Sequence, residues 1–133
     1  MEYCAREQDD TYRYCEPVIP VRAYARKLHG QGVTLFVLSK INSEYEIGAK
    51  NKFIATHYPG LFTEVLTVKD DKDKVEVIKH YAKTYGVSLS ECELVEDTFA
   101  NLLYAHWEGI RGKHVAHLIT EKALKEEGYD LSW

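Results

Sequence analysis

Glu93-Leu94-Val95-Glu96-Asp97-Thr98-Phe99-Ala100-Asn101-Leu102-Leu103-Tyr104-Ala105-His106-Trp107-Glu108-Gly109-Ile110 is the stretch that decides the fold. It reads as a short apolar run ending on two adjacent carboxylates, Glu96 and Asp97. A helix follows, with Phe99, Leu102, Leu103 and His106 at i, i+3, i+4 and i+7 and a stop at Gly109. In a doubly wound parallel sheet, ligands gather beyond the carboxyl ends of the strands, which is where this acidic pair stands. A hard cation such as Mg²⁺ would partner the two carboxylates and still leave positions for phosphate oxygens. The other reading of the pair is that Glu96 and Asp97 charge and cap the N-terminus of the helix.

Upstream, Lys69-Asp70-Asp71-Lys72-Asp73-Lys74 is an alternating charge run of the kind that forms a solvated loop. It leads into a helix expected over 74–85, with Val75, Ile78, Tyr81, Ala82 and Tyr85 on the inner face and Gly86 as its stop. Phe62 to Val68 reads as a strand entered through the Tyr58-Pro59-Gly60 turn. Before it, Asn42 or Ser43 would cap a helix over 44–57. Val33 to Leu38 is a continuous apolar run, the pattern of a parallel strand buried on both faces. In the loop 39–43 that follows, a hydroxyl such as that of Ser39, beside exposed backbone N–H groups, can hold a phosphate oxygen or simply bond its own turn. Pro17 and Pro20 bracket the entry to a helix running to about residue 29, with Val21, Tyr24, Ala25 and Leu28 on one face. Downstream, 114–119 reads as a fourth strand, with His114 and His117 in or beside it, and 121–127 as a last helix stopped by Gly128.

The repeating strand-then-helix order argues for a parallel α/β sheet with right-handed crossovers. A chain of 133 residues is long enough for one domain and one core. Its formal net charge of −4 carries no electrostatic footprint for nucleic acid or an anionic membrane. No apolar run reaches membrane-spanning length, and Met1-Glu2-Tyr3-Cys4-Ala5-Arg6 does not open a signal peptide. Cys4, Cys15 and Cys92 are odd in number and lack metal-ligand spacing, which fits a reducing cytoplasm, with Cys92 as a buried strand residue. The ten tyrosines are packing residues, crowded near the start of the chain.

Taken together, Ser39 after an apolar strand, a lysine opening a helix, and Val95-Glu96-Asp97-Thr98 with a downstream Gly109-Ile110 resemble motifs two, three and four of the haloacid dehalogenase-like (HAD) hydrolases. The resemblance covers roughly residues 17–120. Gly48 to Phe62, with its lysine-rich helix and His-Tyr-Pro-Gly-Leu-Phe turn, is loosely similar to the nucleotidase branch. What the resemblance implies is a three-layer Rossmann-like sheet with helices on both faces over residues 17–133, preceded by a segment 1–16 that would be the tail of a cap insertion. It also implies a cytoplasmic Mg²⁺-dependent phosphatase acting on a small phosphorylated molecule. An aspartate of that family attacks phosphorus, a lysine and Mg²⁺ offset the charge, and a Ser or Thr orients the phosphoryl group. Carried over, Ser39, Lys40 and Asn42 would bind phosphate, Asp97 and Glu96 would hold Mg²⁺, and Lys74 would stabilise the nucleophile. Lys72 also stands at a suitable distance from the acidic pair, but Lys74 directly opens the helix.

The departure from the pattern is the first motif. No apolar strand ending in Asp-x-Asp precedes Ser39, and Asp9-Asp10-Thr11 follows Ala5-Arg6-Glu7-Gln8, which cannot be a buried central strand. In the family that strand lies between those ending at Leu38 and Val95. Its absence predicts one of three outcomes: the flanking strands pair directly, a second copy or another polypeptide donates a strand, or the chain is truncated at its N-terminus. The chain by itself is then expected to be a poor catalyst, or a non-catalytic binding module with the same sheet.

Overall fold

The computed structural model describes residues 19–119, together with Lys125 and Gly128. The readings of Asp9-Asp10-Thr11 and of segment 1–16 lie outside the described residues. So does most of the 121–127 helix, of which Lys125 is helical; Gly128 has a positive φ of 92°.

Chain order is α1 (Ile19–Gly30), β1 (Phe36–Lys40), α2 (Tyr45–His57), β2 (Glu64–Val68), α3 (Asp73–Tyr85), β3 (Glu93–Glu96), α4 (Phe99–Trp107) and β4 (Arg111–His114). Short 3₁₀ turns cover Leu89–Glu91 and Val115–Leu118. Pro20 sits in the first turn of α1, where a missing N–H breaks no helical bond. At the end of α3, Gly86 takes the left-handed conformation at φ 69°, and Val87 N–H bonds back to the Ala82 carbonyl. Only a residue without Cβ adopts that conformation at no cost, which is why the helix stops there.

The strands form two separate parallel pairs. β1 and β2 run in register from Phe36 opposite Glu64 to Lys40 opposite Val68. β3 and β4 run from Glu93 opposite Arg111 to Glu96 opposite His114. The strand-helix alternation and the parallel sense are therefore as expected, but a single sheet is not what the described residues form. Direct pairing of the two flanking strands, one of the three expected outcomes, does not occur, since β1 and β3 belong to different pairs.

Two apolar clusters hold these pairs. One joins Ala49, Phe53 and Tyr58 with Ile54, Leu61 and Phe62, tying α2 to the turn that enters β2. The other joins Val75, Leu94, Ala105 and Ile110 with Ile78, Leu89, Cys92 and Tyr104, tying α3 and α4 to β3. Each fully buried branched or aromatic side chain there is worth about 1.5–3 kcal/mol. α3 reaches both pairs. Tyr81 and Tyr85 pack on Phe36 of β1 at ring distances of 5.0 and 5.8 Å, and the Tyr81 hydroxyl donates to Glu64 at 3.1 Å. On its other side, Val75 lies against Leu94, and Lys79 pairs with Glu108 at 3.0 Å.

Several elements shift from expectation. β1 begins three residues later than Val33, which is exposed. The fourth strand is Arg111–His114, and the apolar run 115–118 expected to form it is a 3₁₀ turn capped by the His114 ring. Of that run Leu118 is buried, Val115 is half-buried, and Ala116 and Ile119 are exposed. In α4 the expected inner face is rotated: Phe99 is 72% exposed, whereas Ala105 is fully covered and Asn101 nearly so. The small Ala105 lets the helix approach Val75 and Leu94 closely, so volume and not periodicity chose the face. Tyr85 is half exposed at the open end of α3, and Cys92 sits half-buried just before β3 and not within it.

Candidate functional site

Parallel pairing puts the carboxyl ends of β1 and β2 side by side, with Ser39 opposite Thr67 and Lys40 opposite Val68. The loop Lys69 to Lys72 then folds through an Asp70 carboxylate that accepts from Lys72 N–H at 3.0 Å, and α3 begins. Lys74, in the first turn of α3, reaches across to the carboxyl end of β3. Its Nζ donates to Glu96 Oε2 at 3.1 Å and lies 3.4 Å from Asp71 Oδ1. This bond brings the ends of β1, β2 and β3 to one edge of the fold, where Ser39, Lys40, Asn42, Lys74, Glu96 and Asp97 all stand.

The Lys74–Glu96 pair is buried, each side chain retaining less than a tenth of its surface. Buried charges persist only when paired and hydrogen-bonded. Glu96 meets both conditions, because its second oxygen, Oε1, accepts from the backbone N–H groups of Asp97 and Thr98, each at 3.3 Å. Glu96 thereby holds the turn that leads into α4, while Thr98 at the helix start makes no side-chain capping bond. Asp97 is exposed, and the Thr98 hydroxyl donates to its Oδ1 at 3.4 Å.

His114, at the end of β4, fixes the same turn from the other side. Ala116 N–H donates to its Nδ1 at 2.9 Å, so the proton sits on Nε2, which donates to the Asp97 carbonyl at 3.1 Å. The imidazole is thereby held in a single orientation. Sequence reading placed His114 by the last strand without this role. A histidine opposite the acidic pair in a parallel register was the available signal, but it needs the pairing of Glu96 with His114. Asp71 was likewise passed over as loop charge.

Ser39 is half-buried in β1, and Lys40 is exposed at its end. The Asn42 N–H donates to Glu46 Oε1 at 3.3 Å, so Glu46 and not an Asn or Ser side chain serves the start of α2. Among the described residues no hydrogen bond joins Ser39 or Asn42 to the Lys74–Glu96 pair; they share its edge, not its network. For Mg²⁺, the donor set splits. Both Glu96 oxygens are engaged by nitrogen donors, whereas the exposed Asp97 carboxylate is an oxygen ligand of the kind Mg²⁺ takes singly along with water and phosphate oxygens. Among the described residues no three His, Cys, Asp or Glu side chains gather around one point. Chemically, this edge offers a buried lysine already facing Glu96 and Asp71, and the exposed carboxylates of Asp70, Asp73 and Asp97. No family model matches the chain, and neither a curated protein nor a solved structure shows detectable similarity to it.

Proposed function

We propose that the carboxyl edge binds the phosphoryl group of a small phosphorylated molecule, as the phosphate- and Mg²⁺-holding part of a HAD-like hydrolase. The observation that carries this reading is the buried Lys74–Glu96 pair at the point where β1, β2 and β3 end. A buried ion pair is poor value for stability alone, and an ammonium held in place beside strand ends is suited to meeting a phosphate without reorganising. In this reading the two parallel pairs are parts of one three-layer sheet. Ser39, Lys40 and Asn42 contact phosphate oxygens, Lys74 neutralises them, Asp97 holds Mg²⁺, and Glu96 positions Lys74. A second reading is a binding module without turnover of its own.

The test is titration of the purified 133-residue chain with inorganic phosphate, with and without Mg²⁺, followed by nuclear magnetic resonance. Shifts at Ser39, Lys40 and Asp97 are expected, with affinity reduced about tenfold in Lys74→Gln, the loss of one charge-assisted bond. Phosphate binding that is unchanged in Lys74→Gln would sink the assignment. Hydrolysis of p-nitrophenyl phosphate by the wild-type chain, lost in Asp97→Asn, would select the catalytic form over the binding module.

A further inference from the structure

α4 is apolar on every side. Its residues, Phe99–Trp107, include no Asp, Glu, Lys or Arg. One face, bearing Asn101 and Ala105, is buried, with Ala105 against Val75 and Leu94. At about 100° per residue, Phe99, Ala100, Leu103, His106 and Trp107 fall in a stripe on the opposite side. Leu103 is half-buried and the other four are exposed, Phe99 keeping 72% of its surface and Trp107 68%. The outward residues of α3, by contrast, include Glu76, His80 and Lys83. A helix that is apolar all round is stable when it is covered all round, and α4 is far too short to cross a membrane.

Trp107 is also held in place. Its ring packs on that of Tyr104 at 6.0 Å, and Tyr104 in turn packs against the core around Ala105 and Ile110. An aromatic side chain fixed before it is covered loses little freedom on association, which is the property of an interface anchor.

We propose that this stripe is the interface of a two-fold dimer, in which α4 of one copy lies antiparallel on α4 of a second. The stripe is complementary to itself. With Leu103 on the two-fold axis, Phe99 of each copy meets Trp107 of the other as an aromatic pair, and the small Ala100 meets the larger His106. The charges agree with the same arrangement. Two chains of net charge −4 repel each other, so the contact between them has to be free of carboxylates, as this stripe is. Antiparallel packing also opposes the two helix dipoles, and it sets the imidazole of each His106, a hydrogen-bond donor, about one turn from the exposed Asp97 of the other copy. The area sets the strength. Phe99 and Trp107 leave roughly 300 Å² uncovered, so two copies remove roughly 600 Å² from water through these side chains alone. That is too little for an obligate dimer and suits a reversible one that forms at roughly 0.1 mM. The proposal does not depend on phosphate binding, so the two fail separately.

The experiment is sedimentation velocity of the full 133-residue chain from about 5 µM to about 500 µM, a range that brackets the expected midpoint. A reversible shift from monomer to dimer is expected. Phe99→Glu and Trp107→Lys each remove both aromatic pairs and should weaken the dimer by at least about tenfold. Both should keep the circular dichroism of the wild type, because the two sites are exposed. An equimolar mixture of the two variants should dimerise again, since the substituted positions then face each other with opposite charge and the second Phe99–Trp107 pair is intact. A wild-type chain that stays monomeric throughout overturns the proposal. So does a dimer that either substitution leaves unchanged, or a mixture that stays monomeric. Binding of a monomeric wild-type chain to phosphatidylcholine vesicles would assign the stripe to a lipid surface and overturn it equally.

Discussion

At Lys74 one ammonium group faces two carboxylates, the buried Glu96 and the half-exposed Asp71. Removing the cation strands Glu96 in the interior with only two backbone N–H donors left. Lys74→Met should therefore lower the unfolding free energy by about 3 kcal/mol, the low end for breaking a buried pair. Adding Glu96→Gln should recover most of that loss; urea denaturation of the three variants decides it, and equal stabilities throughout would mean that the pair is solvated. A second residue-scale prediction concerns Tyr24, whose hydroxyl donates to Glu93 while Lys113 lies 4.6 Å from its ring centre. Burial first, and then the bond to Glu93 and its charge, push the phenol up to about 12. A phenol that ionises later in the folded than in the unfolded chain stabilises the fold fully below about pH 10, and that contribution disappears as pH rises towards about 12. Tyr24→Phe should flatten the decline of stability across that window. Burial, followed by the charge of Glu91, also raises the thiol of Cys92, which keeps it protonated and slow to alkylate near neutral pH.

Among the elements, α4 most clearly separates pattern from packing. Its apolar residues surround the helix, so periodicity alone admits more than one inner face, and the structure selects the one bearing Ala105 and Asn101. Ala105→Leu should then cost about 1–3 kcal/mol by overpacking against Val75, Leu94 and Ile110. Phe99→Ala, at an exposed site, should stay within about 0.5 kcal/mol of wild type. Thermal unfolding of the two variants tests the orientation, and a reversed order would restore the face expected from the i, i+3, i+4, i+7 spacing. Boundaries elsewhere were legible where a backbone requirement was written into the chain. Gly86 had to end α3 because φ is positive there, and Pro20 had to open α1. β4 was misread because its residues, Arg111, Gly112, Lys113 and His114, carry little of the apolar signal that marks a strand. At Gly112 a Cβ would come 3.1 Å from the Leu102 Cδ2, a tight contact that a small shift of that side chain would have to relieve.

On the scale of the whole molecule, α3 is the connection between two halves with separate cores. Tyr81 contributes both its ring on Phe36 and its hydroxyl on Glu64. Tyr81→Ala should accelerate amide exchange in β1 and β2 by a larger factor than in β3 and β4, because the second core keeps Val75 and Ile78 of α3. Equal acceleration in both halves would show that they unfold as one cooperative unit. Among the described residues no helix is long and apolar enough to cross a membrane.

The sequence by itself determined the order of strands and helices, the parallel sense, and the gathering of Ser39, Lys74, Glu96 and Asp97 at strand ends, because apolar runs and stop residues are local signals. Only the tertiary structure decided that the described strands divide into two pairs, that Lys74 meets Glu96, and that His114 holds the Asp97 turn. Each of those depends on groups 17 to 22 residues apart in the chain, or on backbone edges, meeting through space. No local pattern encodes such a meeting, because it is set by register and by how closely helices can approach.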